Sequence, residues 1–267
     1  MKSLRSIIGI VALSAFAASC CKTPATQTDQ TDMKHLLLAT AWYQQSAEMR
    51  ACYYQAYTMA KMALKENLQN HKGTKPTAVV LDIDETVLDN SPFEAKLMAD
   101  SQYYSDSAWM AWSERCEAWA LPGAADFISY ARELGVDVFF ISNRVLEERD
   151  RTLKNLASTG MAVDSAHLLL YDLDKTSCKD ERRDCVSATH DIILFIGDNL
   201  ADYTSLFDRR DSTLALSLAD SLRNDFGRKF IILPNPMYGK WEGAIYGQGR
   251  SLPVPEKNQI MLDRLRK

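Results

Sequence analysis

Several common chemistries are excluded by what this chain does not contain. It has four histidines and six cysteines among 267 residues and no Cys-x-x-Cys pair, so the paired ligands typical of a structural zinc site are missing. Cys178, Cys185 and His190 are one conceivable zinc combination, but their spacing does not support it. There is no R-H-G of a histidine phosphatase, no G-x-S-x-G of a serine hydrolase and no G-x-x-x-x-G-K of a nucleoside triphosphatase. With 31 basic and 35 acidic residues the formal charge is only −4, which argues against a binder of nucleic-acid polymers. The apolar run from Ile7 to Ala18 is too short to cross a bilayer comfortably.

That run follows Lys2 and Arg5, the layout of a secretory signal peptide over residues 1–19. Its end, FAASCC, places Ala17, Ala18 and Ser19 before Cys20 and resembles the lipobox of bacterial lipoproteins. Cys20 is then expected to be the lipidated first residue of an exported protein held at a membrane, the bacterial outer membrane by this reading. An ordinary signal peptide with a chance cysteine is the alternative. Residues 20–32, rich in Thr and Gln, suit a flexible tether. Cys21, Cys52, Cys116, Cys178 and Cys185 are compatible with disulfides in an exported protein, and their spacing sets no pairing.

From Thr31 to Asn70 there is neither Pro nor Gly, and Tyr43, Ala47, Tyr54, Tyr57, Leu64 and Leu68 recur at helical spacing. The pattern predicts one long helix or two, within an N-terminal helical segment over residues 33–75. Gly73 and Pro76 end it. Over residues 76–267 five short apolar runs follow: Thr77–Ile83, Val136–Ser142, His167–Tyr171, Asp191–Gly197 and Lys229–Pro234. Amphipathic stretches such as Ala124–Leu134 and Leu146–Ser158, the latter closed by Gly160, separate them. Strands and helices in alternation predict an α/β fold with a parallel sheet covered on both faces. Residues 88–122, with Trp109, Trp112 and Trp119, are too long for an ordinary βα loop. No strand is expected there, and the segment reads as an inserted helical cap forming a smaller subdomain.

In such a sheet ligands bind beyond the carboxyl ends of the strands, where strand order reverses. Asp82 and Asp84 end the first run, Ser142 and Asn143 the second, and Asp198 and Asp202 follow the fourth. Two carboxylates about 4 Å apart repel by roughly 4 kcal/mol at an effective dielectric near 20, so their convergence calls for a cation. Oxygen ligands without Cys or His suit a hard ion, and Mg²⁺ leaves positions for a phosphate oxygen. Two aspartates at i and i+2 also divide labour where the strand breaks. One faces the substrate as a nucleophile, and the other turns toward a leaving group.

The segments VLDIDETVLDNSPF (Val80–Phe93), FFISNR (Phe139–Arg144), SCKDERR (Ser177–Arg183) and LFIGDNLADY (Leu194–Tyr203) resemble the haloacid dehalogenase superfamily of phosphohydrolases, and within it the class C or DDDD acid phosphatases. The resemblance implies a Rossmann-like parallel sheet and Mg²⁺-dependent hydrolysis of phosphomonoesters through an aspartyl-phosphate. It casts Asp82 as nucleophile and Asp84 as general acid, with Asp82, Asp84 and Asp198 on the metal, Asp84 through its backbone carbonyl. Ser142 and Lys179 would bind the transferring phosphoryl group, Asn143 and Arg144 would adjoin the substrate, and Asp202 would support the site from behind. Lys175 competes with Lys179, which fits the family's K-x-x-R pattern with Arg182. The family commonly has Tyr where this chain has Phe93, and Phe where it has Tyr203.

The same resemblance points to nucleoside 5′-monophosphates as substrates, with Trp109 and Tyr238 placed to stack on a base. Packing inside the cap is the competing reading for Trp109, and the favoured one for Trp112 and Trp119. Transfer of phosphate to an alcohol, or a binding or storage protein on the same fold, are the alternative functions. The expected partner is a small phosphomonoester, and the sequence leaves both a monomer and an oligomer open.

Overall fold

The computed structural model describes residues 34–173, 175, 177–208, 215–247 and 252–266. The signal peptide, Cys20, Cys21 and the tether therefore lie outside the described residues. In chain order the helices and strands are α1 (Lys34–Gln45), α2 (Ala47–Asn70), β1 (Thr77–Leu81), β2 (Leu88–Asp89), α3 (Ser91–Ala99), α4 (Asp106–Ser113), β3 (Trp119–Ala120) and α5 (Ala124–Glu133). They continue with β4 (Asp137–Val145), α6 (Arg149–Ser158), β5 (Leu168–Tyr171), α7 (Asp180–Thr189), β6 (Asp191–Gly197), α8 (Leu216–Ser221), β7 (Phe230–Ile232), α9 (Lys240–Tyr246) and α10 (Val254–Arg264).

Five strands form one sheet in the order β5-β4-β1-β6-β7, and every pairing in it is parallel. Each of the five apolar runs contributes one strand. Side chains alternate across the central strand. Val79 and Leu81 enter the main core, which contains Tyr57, Ala60 and Phe127 from α2 and α5, whereas Ala78 and Val80 meet Val186 of α7 on the other face. Burial on both faces explains why β1 reads as an unbroken apolar run. The chain leaves β1 for β4 and β5 on one side, then returns to β6 and β7 on the other, so β1 marks the reversal of strand order.

The N-terminal stripe is two helices. Ser46 separates them and caps α2, its hydroxyl accepting the Met49 amide at 3.0 Å. The buried face runs through Met49, Tyr53, Tyr57, Ala60, Ala63 and Leu64; it includes the expected Tyr57 and Leu64 but not Ala47 and Tyr54, which are exposed. The exchange of Tyr54 for Tyr53 has a polar cause. Tyr53 finds a hydrogen-bond partner inside the protein, and Tyr54 lies beside Arg50 at the surface. After α6, Gly160 adopts φ +80, and the Gly160 and Met161 amides return to the carbonyls of Ala157 (3.2 Å) and Leu156 (2.8 Å). That is the left-handed helix stop that glycine favours.

The segment between Val87 and Pro122 differs from the expectation of no strand. It carries α3 and α4, and its two ends pair as the short antiparallel ladder β2–β3, with Leu88 opposite Ala120 and Asp89 opposite Trp119. Trp119 is 71% exposed, contrary to its expected packing, because this two-residue ladder lies outside the main sheet. Trp112 is buried. None of Cys52, Cys116, Cys178 and Cys185 is in a disulfide. No helix among the described residues is long and apolar enough to cross a membrane.

Candidate active site

Asp82 follows directly on β1, and its amide still donates to Ile196 of β6 at 3.0 Å. The acid is thus anchored in the sheet register at the point of strand reversal. One residue later the chain turns: the Ile83 carbonyl accepts the amides of Thr86, Val87 and Leu88. Glu85 takes a left-handed backbone, φ +55, at a cost on the order of 1–2 kcal/mol for a residue with a Cβ. Three groups hold this turn. The Tyr53 hydroxyl donates to the Glu85 carbonyl, the Tyr57 hydroxyl to the Thr86 carbonyl at 2.7 Å, and the Glu85 carboxylate accepts the Asn90 amide at 2.8 Å. Helix α2 therefore braces the loop that aims Asp82 and Asp84.

Carboxylate oxygens of Asp82, Asp198 and Asp202 lie within 4.8 Å of one another. Asp198 follows β6; it accepts a hydrogen bond from Asn235 at 2.8 Å and a long one, 3.5 Å, from Thr86. Asp202 stands in a 3₁₀ turn and caps it by accepting the Asn199 amide at 2.9 Å. A Cβ on Gly197 would fall 2.3 Å from the Asp202 carboxylate, so glycine permits this close approach. Lys179, at the start of α7, bridges Asp82 and Asp202, 2.8 Å from the latter. It is buried, whereas Lys175 is exposed; of the two candidate lysines, Lys179 is the one that reaches Asp82.

The electrostatics follow from burial. Desolvation, with Asp202 and Asp84 adding to it against the opposing pull of Lys179, pushes Asp82 up to about 7. Desolvation and then Asp202 and Asp82 raise Asp198 well above the usual carboxyl range. Burial works to lower Lys179, but Asp202 and Asp82 outweigh it and raise the lysine. Three acids facing one ammonium leave an excess of negative charge, and the donors are all oxygen. This set fits a hard divalent cation. Among the described residues no metal-ligating cluster joins Cys178, Cys185 and His190, and His190 instead bonds Asp137 at 3.0 Å.

The Asp84 carboxyl points elsewhere. Arg144 grips it through two nitrogens at 2.7 and 3.1 Å, Asn90 donates at 2.8 Å, and Ser142 at 3.3 Å. The two aspartates of the i, i+2 pair thus separate as expected, one toward the acidic cluster and one away. Arg144, expected beside the substrate, lines the same cavity but directs its guanidinium at Asp84 and Thr152. Trp109 covers that guanidinium at 5.4 Å and donates to Glu148 at 3.0 Å. Trp112 donates to Asn90 at 2.9 Å. The inserted segment is therefore tied to Asp84 through two of its three donors, Arg144 and Asn90.

These groups open into one cavity of about 660 Å³, a volume suited to a small organic ligand. Asp82, Asp84, Ser142, Asn143, Lys179 and Asp198 line one part of it, and Phe93, Trp109 and Tyr238 contribute aromatic surface. Asn143 is exposed and accepts from Arg182 at 2.6 Å. Phe93 meets Trp109 edge to face at 5.4 Å. Tyr203 stacks on Phe230, its hydroxyl donating to Asp225 at 2.8 Å. Sequence reasoning missed Tyr53, Tyr57, Asn90 and Asn235. Asn90 stands inside the segment Val80–Phe93 and Asn235 three residues before Tyr238, which was the available signal.

The family model of the HAD superfamily, subfamily IIIB (acid phosphatase), matches residues 12–241. The chain is 43% identical to the class C acid phosphatase from Bacillus anthracis, with a TM-score of 0.82 over 88% of this chain and 98% of that one. The Bacillus anthracis structure with tungstate bound matches equally well, at 42% identity and a TM-score of 0.82 over the same shares. Vegetative storage protein 1 of Arabidopsis thaliana is 27% identical over 191 residues, 69% of this chain, and Acid phosphatase 1 of Solanum lycopersicum is 27% identical over 165 residues, 60% of this chain. The matched regions span 61% and 57% of those two plant proteins. A parallel sheet with acids at its point of reversal and a family match across most of the chain have one explanation: this protein belongs to the acid phosphatases of the haloacid dehalogenase superfamily, subfamily IIIB, and is a phosphomonoesterase by family.

Proposed function

We propose that this protein hydrolyses phosphomonoesters by passing the phosphoryl group through Asp82. The observation that carries the reading is the placement of Asp82, buried at the end of the central strand, contacted by Lys179 and opening into the cavity. In the first half-reaction an Asp82 oxygen bonds to phosphorus and the ester P–O bond breaks. Asp84 hands a proton to the departing alkoxide. In the second, water attacks the phosphorus, Asp84 takes its proton, and the Asp82–phosphorus bond breaks to release inorganic phosphate. Lys179 and Ser142 neutralise and position the phosphoryl oxygens. Arg144 and Asn90 keep Asp84 on the leaving-group side throughout.

Asp82, Asp198 and the backbone carbonyl of Asp84 would hold Mg²⁺, which when bound offsets the charge of the phosphoryl group and of the clustered acids. Asp202, paired with Lys179, holds that lysine against Asp82. The tungstate bound by the Bacillus anthracis relative is a tetrahedral oxyanion, which supports phosphate as the group recognised here. Nucleoside 5′-monophosphates are the proposed substrates, their bases resting on Trp109 and Tyr238, at about 1–3 kcal/mol per stacked base. Residues 88–122 act as the cap that supplies Trp109. The proposed setting is an exported lipoprotein, anchored through Cys20 to the outer membrane.

A storage function also has a specific observation behind it, the similarity to Vegetative storage protein 1. Retention of Asp82, Asp84, Lys179 and Asp198 in one cavity favours turnover. Asp82→Asn tests the choice: hydrolysis of p-nitrophenyl phosphate and of nucleotides should vanish while the fold is retained, and EDTA should abolish it reversibly. Turnover by Asp82→Asn at the wild-type rate would exclude the covalent route, and a wild type inert toward all of these esters would support storage.

A further inference from the structure

The cavity that opens on Asp82 has a carboxyl for which the phosphoryl chemistry has no use. Glu94 stands in the first turn of α3, next to Phe93, and lines the same cavity as Trp109 and Tyr238. It is 9% exposed, and among the described residues no hydrogen bond or ion pair reaches its carboxyl. The nearby lysines of the cavity wall are engaged elsewhere: Lys240 pairs with Asp208, and Lys257 lies over the Tyr246 ring at 5.3 Å. Glu242, also in the wall, adds a second acid. Burial and then Glu242 push Glu94 up to about 7.

A largely buried carboxyl without a donor is costly, and this one lines the cavity that opens on Asp82, the cavity in which a leaving group must lie if the phosphoryl group sits at Asp82. Two acids on one wall call for a group with more than one proton to donate. An amino group offers two N–H bonds and an ammonium three, against one O–H for a hydroxyl.

We propose that Glu94 is a specificity-determining residue that accepts an N–H from the leaving group, so that the site favours phosphomonoesters bearing an amino function. This rests on the phosphomonoesterase reading of the same cavity and adds the chemical class of the preferred ester. Glu242 supplies the second acceptor.

Matched pairs of esters test it in the full-length protein: adenosine 5′-monophosphate against purine riboside 5′-monophosphate, and 2-aminoethyl phosphate against ethyl phosphate. The first pair reports a neutral aromatic amine and the second an ammonium; p-nitrophenyl phosphate is the common reference. At least one pair should favour the amine in kcat/KM by about tenfold in the wild type, the scale of one hydrogen bond to a charged group. Glu94→Leu should bring that ratio close to one, and Glu94→Gln, whose amide oxygen still accepts, should keep part of it. The ratio within each variant cancels any general loss of activity, and a melting curve checks that each variant is folded. No amine preference in either pair, or a preference that survives in Glu94→Leu, would overturn the proposal. Failure of the wild type to turn over even p-nitrophenyl phosphate is a separate result, which would overturn the phosphomonoesterase reading and this inference with it.

Discussion

Removing the Arg144 guanidinium should slow the enzyme in a manner that depends on the leaving group. Among the described residues Arg144 is the only one that grips Asp84 through two nitrogens, at 2.7 and 3.1 Å, and its side chain is 1% exposed against 19% for Asp84. In Arg144→Met, Asp84 retains Asn90 and Ser142 but loses the fork that sets its direction. Misplacement of a proton donor by about 1 Å costs roughly 10²-fold, and the whole contribution of a general acid is about 10²–10⁴. The expected loss in kcat/KM is therefore about 10²-fold for ethyl phosphate and for nucleotides, whose alkoxides need a proton. For p-nitrophenyl phosphate, whose anion leaves unaided, it should be at most a few-fold. Arg144→Lys keeps the charge without the planar fork and should fall between. Breaking a fully buried pair costs about 3–5 kcal/mol. With Asp84 partly exposed about 2–3 kcal/mol is expected, so activity must be compared on protein shown to be folded. Asp84→Asn should give the same split, and the double variant little more. Equal slowing of alkyl and aryl esters by Arg144→Met would refute the positioning argument.

Two further outcomes follow from the same contacts. The raised carboxyls, Asp82 and Glu94 at about 7 and Asp198 upward, stay protonated in the folded chain after the unfolded chain has lost its protons near about 4. Their stabilising contribution is thus complete at acid pH and lost as pH rises from about 4 through about 7. The melting temperature in EDTA should fall from pH 5 to pH 7, and Mg²⁺ should restore more at pH 7 than at pH 5; a rise in EDTA over that interval would contradict this. Tyr57→Phe removes the hydroxyl that holds Thr86, which costs about 1 kcal/mol and about 2–4 °C in melting temperature for a domain of this size. It should also lower kcat by slackening the loop after Asp82, and an unchanged kcat would deny α2 its bracing role.

The centre of the main sheet was legible because β1 and residues 138–142 of β4 are buried on both faces, so burial wrote itself as the runs TAVVL and VFFIS. The acids were legible for a complementary reason: polar residues directly after such runs have one place to go, the edge where strand order reverses. What escaped detection depends on contacts without a local pattern. Nothing in the spacing of Tyr53 and Tyr57 announces bonds to carbonyls 32 and 29 residues away, and helical periodicity alone could not choose Tyr53 over Tyr54. Arg144 follows Ser142 in its strand, and its turn toward Asp84 depends on residues 60 positions apart. The β2–β3 ladder is only two residues long in each strand, shorter than any run that alternation could reveal.

The central claim is that a carboxylate at the end of β1 carries the phosphoryl group. Rapid acid quench of the enzyme during turnover of an isotopically labelled phosphomonoester, followed by peptide mapping, tests it most directly. The account predicts an acyl-phosphate label on the peptide containing Asp82, absent from Asp82→Asn and discharged by hydroxylamine. Steady turnover with no label on the protein, or a label on any other residue, would contradict it.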